Sequence, residues 1–307
     1  MPQRKTLISS ALLAVILLAP VTPGTARAHD SETPHTHAEG EAEALAEGEG
    51  EEEEESLEGT FGFQKGPTKG ALGRWAEVAI PENFLFTGEE GTKQLMEAMG
   101  NVVTHRELGT IVDDQLMVVF EFDEVGYVED DEGSDLDADA MLKSMRESQT
   151  EANKILTARG QSALEINRWH MKPKYDEKTN NLEWATVVRE LSTGNESVNY
   201  NVRLLGRRGV MEVTLLVSPE DVERELPKFR TLLAGFGFTQ GEDYAAFRKG
   251  DKVAEYGLAA LVTGGALGVA AKSGLLGRLW KFLLVGALAL GAGIKRLFGG
   301  GKAKDQE

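Results

Sequence analysis

The sequence predicts an α+β fold, an antiparallel sheet covered by helices. Three observations predict it. Four strand-like segments, 162–169, 182–191, 197–205 and 210–217, follow one another through short turn-rich links. Strands so close in sequence pair antiparallel, because a parallel return needs a crossover of about a dozen residues or more. Two segments with helical periodicity, 138–155 and 219–233, each carry a capping signal. Finally, the 307 residues include no cysteine, so the domain must be held by its core without disulfides.

In chain order, Arg4 and Lys5 precede an apolar stretch over 7–18 and the small-residue triplet 26–28, which is the grammar of a cleaved signal peptide over 1–28. About a dozen apolar residues cannot cross a hydrocarbon core that needs roughly twenty in a helix. Without cysteine a lipoprotein anchor is excluded as well. Residues 29–60 hold thirteen acidic residues and no Lys or Arg. Such a segment cannot offset the entropy of ordering its backbone, so it is expected to be a disordered acidic arm.

The folded domain is expected over 61–250. Its first strand is 74–80, closed by Pro81, and a helix follows near 90–99, stopped by Gly100. Residues 115–123, QLMVVFEFD, read as a strand whose middle is buried on both faces. Ser134 and Asp137 stand three apart as a capping box. Beyond them Ala138, Met141, Leu142, Met145, Ala152 and Ile155 form the apolar stripe of a helix ending near Gly160. Asp135, Asp137 and Asp139 alternate as in a calcium loop, but Ala140 stands where that loop needs glycine and Arg146 where it needs glutamate, so the acids are assigned to capping.

The last two of the four strands flank Gly206-Arg207-Arg208-Gly209, a hairpin connection. In the segment 197–205, Val198, Tyr200, Val202 and Leu204 point to one face and Asn199, Asn201 and Arg203 to the other. One face meets the core, and the other is wet or binds something. The helix 219–233 takes Ser218 as its cap, with Asp221 three residues on, and leads through residues 235–238 to a short strand or turn around 244–247.

Two uncharged runs, 256–271 and 282–294, bracket Lys272, Arg278 and Lys281. The expectation is that 251–298 anchors the chain through C-terminal hydrophobic helices, followed by a polar tail over 299–307, the alternative being that these helices complete a buried core. An exported domain with the basic cluster left in the cytoplasm satisfies the positive-inside tendency, and Trp280 is suited to the interface. The glycines of both runs would let two helices approach closely. The expected address is a membrane-tethered domain outside the cytoplasm with membrane lipid as a partner; the family likeness given below makes that the bacterial inner membrane, with the domain in the periplasm and an envelope protein as a second partner.

The formal charge of −17 includes −13 on the acidic arm and −12 on residues 61–271, a balance that repels nucleic acid. No G-x-G-x-x-G lies between a strand and a helix, so no nucleotide site and no cofactor is expected. Three sets of residues are candidates for chemistry. His170, with Asp176 or Glu183 to orient it, has the composition of a general base, although no nucleophile motif accompanies it. Arg203, Arg207 and Arg208 have the guanidinium forks that grip carboxylate or phosphate, against the alternative that they solvate a hairpin tip and pair with nearby acids. His29, His35 and His37, among acids in the arm, have the donor types that suit zinc, copper or nickel.

Five segments carry a family likeness: G-Y-V-E-D-D at 126–131, W-H-M-K-P-K-Y-D at 169–176, L-E-W-A at 182–185, V-N-Y-N-V-R-L-L-G-R-R-G-V at 198–210, and G-D-K-V-A-E-Y-G-L-A-A-L-V-T-G-G at 250–265. The chain resembles the bacterial membrane-anchored proteins grouped as domain of unknown function 2167, over most of residues 60–300. The resemblance implies an exported domain on a C-terminal membrane segment and brings no catalytic residue with it. The run 218–241 also resembles the closing helix of small α/β domains of the PsbP type. The expected function is a non-enzymatic binding or scaffold role in the envelope. A hydrolase or transferase acting on envelope material is the alternative, and metal handling by the arm is the third.

Overall fold

The computed structural model describes residues 59–101, 103–130 and 136–264. The signal peptide, the acidic arm up to residue 58, Ser134, and the C-terminal segment from residue 265 onward lie outside the described residues. Among the described residues eleven strands form two antiparallel sheets. The strands are β1 (Gln64–Lys65), β2 (Thr68–Leu72), β3 (Ala76–Ile80), β4 (Leu85–Gly88), β5 (Glu107–Val112), β6 (Met117–Asp123), β7 (Leu164–Asp176), β8 (Asn181–Glu190), β9 (Glu196–Leu205), β10 (Val210–Val217) and β11 (Phe236–Phe238). The helices are α1 (Glu89–Ala98), α2 (Ala138–Ala158), α3 (Val222–Ala234) and α4 (Leu258–Thr263). The larger sheet runs β1-β4-β5-β6-β10-β9-β8-β7 and the smaller β11-β3-β2, so the α+β reading holds.

The four strands β7 to β10 pair consecutively as antiparallel neighbours, as their short links require. At the centre β10 is buried at every position, and β6 at every position except Asp123. Both faces of the sheet are therefore covered. On one face the small sheet and α3 enclose the main core, with Phe120, Tyr200, Val213 and Phe229 fully buried within it. The other face is covered in two places. Leu95 and Met96 of α1 pack on Met117, Val119 and Leu216, while Met141 and Met145 of α2 join Leu258, Leu261 and Val262 of α4 around Trp184.

Several local expectations are corrected. The N-cap of α2 is Asp137, whose carboxylate accepts from the amides of Asp139 and Ala140 at 3.1 and 3.0 Å. The buried face of α2 is Met141, Ser144, Met145 and Gln149, and Ile155 is 45% exposed, because the helix packs across edge strand β7 with that face turned inward. Residues 170–176, expected as a loop, continue β7, which carries three register irregularities. Helix α3 starts at Val222, and Ser218 does not cap it. The Ser218 hydroxyl instead donates to Asp221 at 2.7 Å. Gly206 and Gly209 adopt no left-handed backbone. Gly209 is needed for space, since a Cβ there would stand 2.1 Å from the carbonyl oxygen of Asp123.

The expected membrane run 256–271 is divided. Leu258, Ala260, Leu261, Val262 and Thr263 are buried in the domain, against α2 and the sheet. The part up to Thr263 thus belongs to the globule rather than to a helix facing lipid, and the domain extends past residue 250. The rest of the run lies outside the described residues. Among the described residues no helix is long and apolar enough to cross a membrane.

Candidate functional site

Alternation along β9 sends Asn199, Asn201 and Arg203 to the face opposite the main core, and the structure buries that face too. In an antiparallel sheet, residues directly opposite share a face and touch. The register aligns Glu107 with Glu121, Glu121 with Glu212, and Glu212 with Arg203, one row across β5, β6, β10 and β9. Glu107 is 0%, Glu121 1%, and Arg203 and Glu212 each 8% exposed. Like charges directly opposite are destabilising, and buried charges are costly unless paired, so this row needs compensation.

Two arginines supply it. Arg106, just before β5, reaches Oε2 of Glu212 at 2.7 Å, and Arg203 reaches the same oxygen at 3.2 Å. Arg106 also lies 3.8 Å from Oδ2 of Asp123, which accepts from the Tyr256 hydroxyl at 3.3 Å. The amide and hydroxyl of Thr104 donate to Oε1 of Glu107 at 2.8 and 3.0 Å. Burial first, and Glu212 second, push the Glu121 carboxyl up to about 8, with Arg106 opposing, so it is protonated at neutral pH. Burial likewise raises Asp123 against the pull of Arg106. Burial opposes the charge of Arg106, yet Glu212 with Glu121 and Asp123 outweighs it and raises that group. For Arg203 burial prevails and lowers it, although Glu212 holds it charged.

Beside the row the covering helices leave a cavity of about 80 Å³. Its floor is Trp184, Asn199, Arg203, Glu212 and Thr214, and its walls come from Gln149 of α2 and from Leu261 of α4. Because a cavity needs only about 10–15 Å³ to hold one water, this one takes several waters or one small molecule. Three buried polar atoms at this floor find no partner among the described residues: Nε1 of Trp184, Oδ1 of Asn199 and Nε of Arg203. Native interiors rarely leave such atoms unmatched. The Arg203 guanidinium is held over the Trp184 ring, 4.8 Å from its centroid, while its Nη2 binds Glu212, which leaves Nε as its unmatched donor.

The structure separates the residues that the sequence offered as candidates. Arg203 enters the row just described. Arg207 binds Asp251 through two bonds of 2.7 and 2.8 Å, and Arg208 pairs with Glu242. The hairpin arginines therefore hold the segment that leads to α4. Glu183 faces the main core side, where Tyr200 donates to it at 2.8 Å and Arg230 grips both of its oxygens, so its carboxyl is lowered despite burial. Asp176 lies close enough to Glu183 to oppose that shift. His170 is exposed on β7. Arg203 is thus on the opposite side of the sheet from Glu183. His29, His35 and His37 lie outside the described residues, and among the described residues no group of three or more His, Asp or Glu is arranged to hold a metal ion.

Glu121, Glu212, Arg106 and Asp123 were not singled out from sequence. A usable signal existed for two of them: Glu121 and Glu212 are single acids inside the apolar runs of β6 and β10.

Fold and site together define an α+β domain with a cavity on one face of its main sheet, its floor carrying polar groups and its walls largely apolar. The chain belongs to the family described as Protein of unknown function (DUF2167), which matches residues 64–294. Comparison with curated proteins finds no match. Among solved structures the chain is similar to the solution structure of cyanobacterial PsbP (CyanoP) from Synechocystis sp. PCC 6803. The identity is 10% and the TM-score 0.36, with 58% of this chain and 92% of that chain covered.

Proposed function

We propose that this chain is a membrane-tethered binding domain of the bacterial envelope, facing the periplasm, whose recognition site is the cavity over Trp184, Asn199 and Arg203, and that its role is to bind rather than to catalyse. The observation that carries the reading is the set of three unmatched polar atoms on a cavity floor that is otherwise buried and ion-paired. A row of opposed carboxyl groups costs stability, and folds keep such arrangements where a site needs them. Beside it, the residues of the other candidate centre are engaged elsewhere: Glu183 by Arg230 and Tyr200, on the far side of the sheet.

Two features support the address. The leader over 1–28 and the basic cluster after Ala271 agree on one orientation. Phe247 and Val253 are exposed beside Arg248, Lys249 and Lys252, in the segment that leads toward the apolar C-terminal run. Apolar side chains interleaved with cations suit the boundary of an anionic lipid surface. The tether is drawn from residues beyond Thr263, and an envelope protein is the partner expected of a scaffold on that surface.

Thermal melting of the purified full chain, with and without low-molecular-weight fractions of a periplasmic extract, tests the binding reading. A ligand of the native state raises the melting temperature in proportion to its occupancy. The expected result is stabilisation by at least one fraction that Asn199→Leu abolishes. Stabilisation by none, or equal stabilisation of the variant, contradicts the reading.

A further inference from the structure

The chemistry of the cavity also restricts what it holds. We infer that its ligand is a small, uncharged, hydroxyl-rich molecule, of the class of a single sugar ring or a short polyol. This rests on the cavity being a recognition site and adds the ligand's class.

Charge is the first argument. The two guanidinium groups near the floor, Arg106 and Arg203, share Glu212, and Arg106 also lies near Asp123. Glu121, behind them, is protonated at neutral pH. Each of these guanidinium groups already has a carboxylate beside it, although Nε of Arg106 and Nε of Arg203 keep no hydrogen bond among the described residues. A carboxylate or phosphate in the cavity would lie against Glu212 and Asp123, and an ammonium group against Arg203. Leaving either buried charge opposed costs more than the new contact returns.

The unmatched atoms are the second argument. Two are donors, Trp184 Nε1 and Arg203 Nε, and one is an acceptor, Asn199 Oδ1. They sit on neighbouring strands: Trp184 is opposite Asn201, and Asn199 opposite Thr186. A hydroxyl group accepts through its oxygen and donates through its hydrogen, so adjacent hydroxyls on one ring satisfy both kinds of atom at once. Thr186 and Thr214, nearly buried on the same floor, extend this array of neutral partners. Meanwhile Met145, Ile166 and Leu261 give the cavity apolar walls suited to the C–H surface of a ring.

Size is the third argument. A volume of about 80 Å³ holds on the order of five waters or more, about one ring's worth. Typical sites for larger ligands run to about 300–1,000 Å³.

Calorimetric titration of the purified full chain tests the inference, with glucose, galactose, N-acetylglucosamine and myo-inositol as neutral probes. Glucuronate, glucosamine and inorganic phosphate are the charged ones. The expected result is that at least one neutral probe binds and that the charged form of the same ring binds at least tenfold more weakly. Trp184→Phe, which keeps an aromatic ring but removes the indole N–H, and Asn199→Leu each weaken binding about tenfold or more, measured at a temperature where circular dichroism shows the unliganded variant still folded, since Trp184 is a buried core side chain. A charged probe binding as tightly as its neutral counterpart overturns the ligand class. So does failure of all the neutral probes while a periplasmic fraction still stabilises the wild type and not Asn199→Leu. In both of these cases the recognition site itself survives. If neither probes nor fractions bind, the site reading falls together with the ligand class.

Discussion

Glu121 of β6 lies directly opposite Glu212 of β10 on a buried face of the main sheet, two carboxyl groups side by side on neighbouring strands. Burial raises the carboxyl of Glu121, while two guanidinium groups converge on Oε2 of Glu212. The stability of the domain and the properties of its cavity both follow from this division of roles.

Removing the shared anion should cost more than removing one of its cations. Glu212→Gln strands Arg203 and leaves Arg106 only Asp123, 3.8 Å away, whereas Arg203→Met leaves Glu212 bound to Arg106 at 2.7 Å. Breaking a buried pair from one side costs about 3–5 kcal/mol. Glu212→Gln is expected to lose that much, and Arg203→Met at least about 1 kcal/mol less, read from urea denaturation midpoints. Equal losses, or the reverse order, would show that the anion is not shared.

Glu121 sets a pH dependence of stability. Its carboxyl is raised from 4.5 to about 8 on folding, so between those values the native state keeps a proton that the unfolded chain releases. Its stabilising contribution is complete below about pH 4.5 and is lost as pH rises toward 8, with a slope of up to about 1.4 kcal/mol per pH unit. The neutral isostere Glu121→Gln is expected to flatten melting temperature against pH across pH 5–8. An unchanged slope would mean that another group titrates there.

Arg207 and Asp251 tie the β9–β10 hairpin to the segment that enters α4. The Asp251 carboxyl is lowered to about 2, first by the Arg207 hydrogen bonds and then by the amide of Arg248. Its contribution is present above its ordinary value of 3.8 and disappears as pH falls toward 2. Arg207→Ala should lose the part of the acid limb between those values and raise amide exchange over 248–263. Exchange confined to the hairpin tip would sever the hairpin from α4.

Sidedness is tested by fractionation. The chain is expected with the membranes, lacking residues 1–28, and its domain should be cleaved by protease added to spheroplasts but not to intact cells. Recovery of the full-length chain, leader included, among dissolved cytosolic proteins would contradict the proposed address.

What the sequence made legible follows its periodicity. The alternation of β9 separated Asn199, Asn201 and Arg203 from Val198, Tyr200 and Val202, and so pointed to a second, polar face. Its partners are less legible: Glu121 and Glu212 each interrupt an otherwise apolar run, which marks a buried acid without showing what it faces, and Arg106 and Glu107 mark a strand with little alternation to announce it. Strands β2 and β4 escaped for a related reason. TKGAL and LFTG are short, and pairing with neighbours, rather than propensity, makes them strands. The α4 segment was read as lipid-facing because an apolar run has the same hydropathy whether a protein core or a bilayer covers it. Only the packing of Leu258 and Leu261 beside Trp184 distinguishes the two.

The central claim, that the unmatched atoms of the buried polar face receive a ligand, meets its most direct test at the indole N–H of Trp184. The chain has four tryptophans, so ¹⁵N labelling gives four indole signals, and Trp184→Phe identifies one of them. On titration with a neutral sugar that binds, the account predicts that the Trp184 signal shifts with ligand concentration while the other three stay in place. A ligand that saturates the protein and leaves the Trp184 signal unmoved would contradict it.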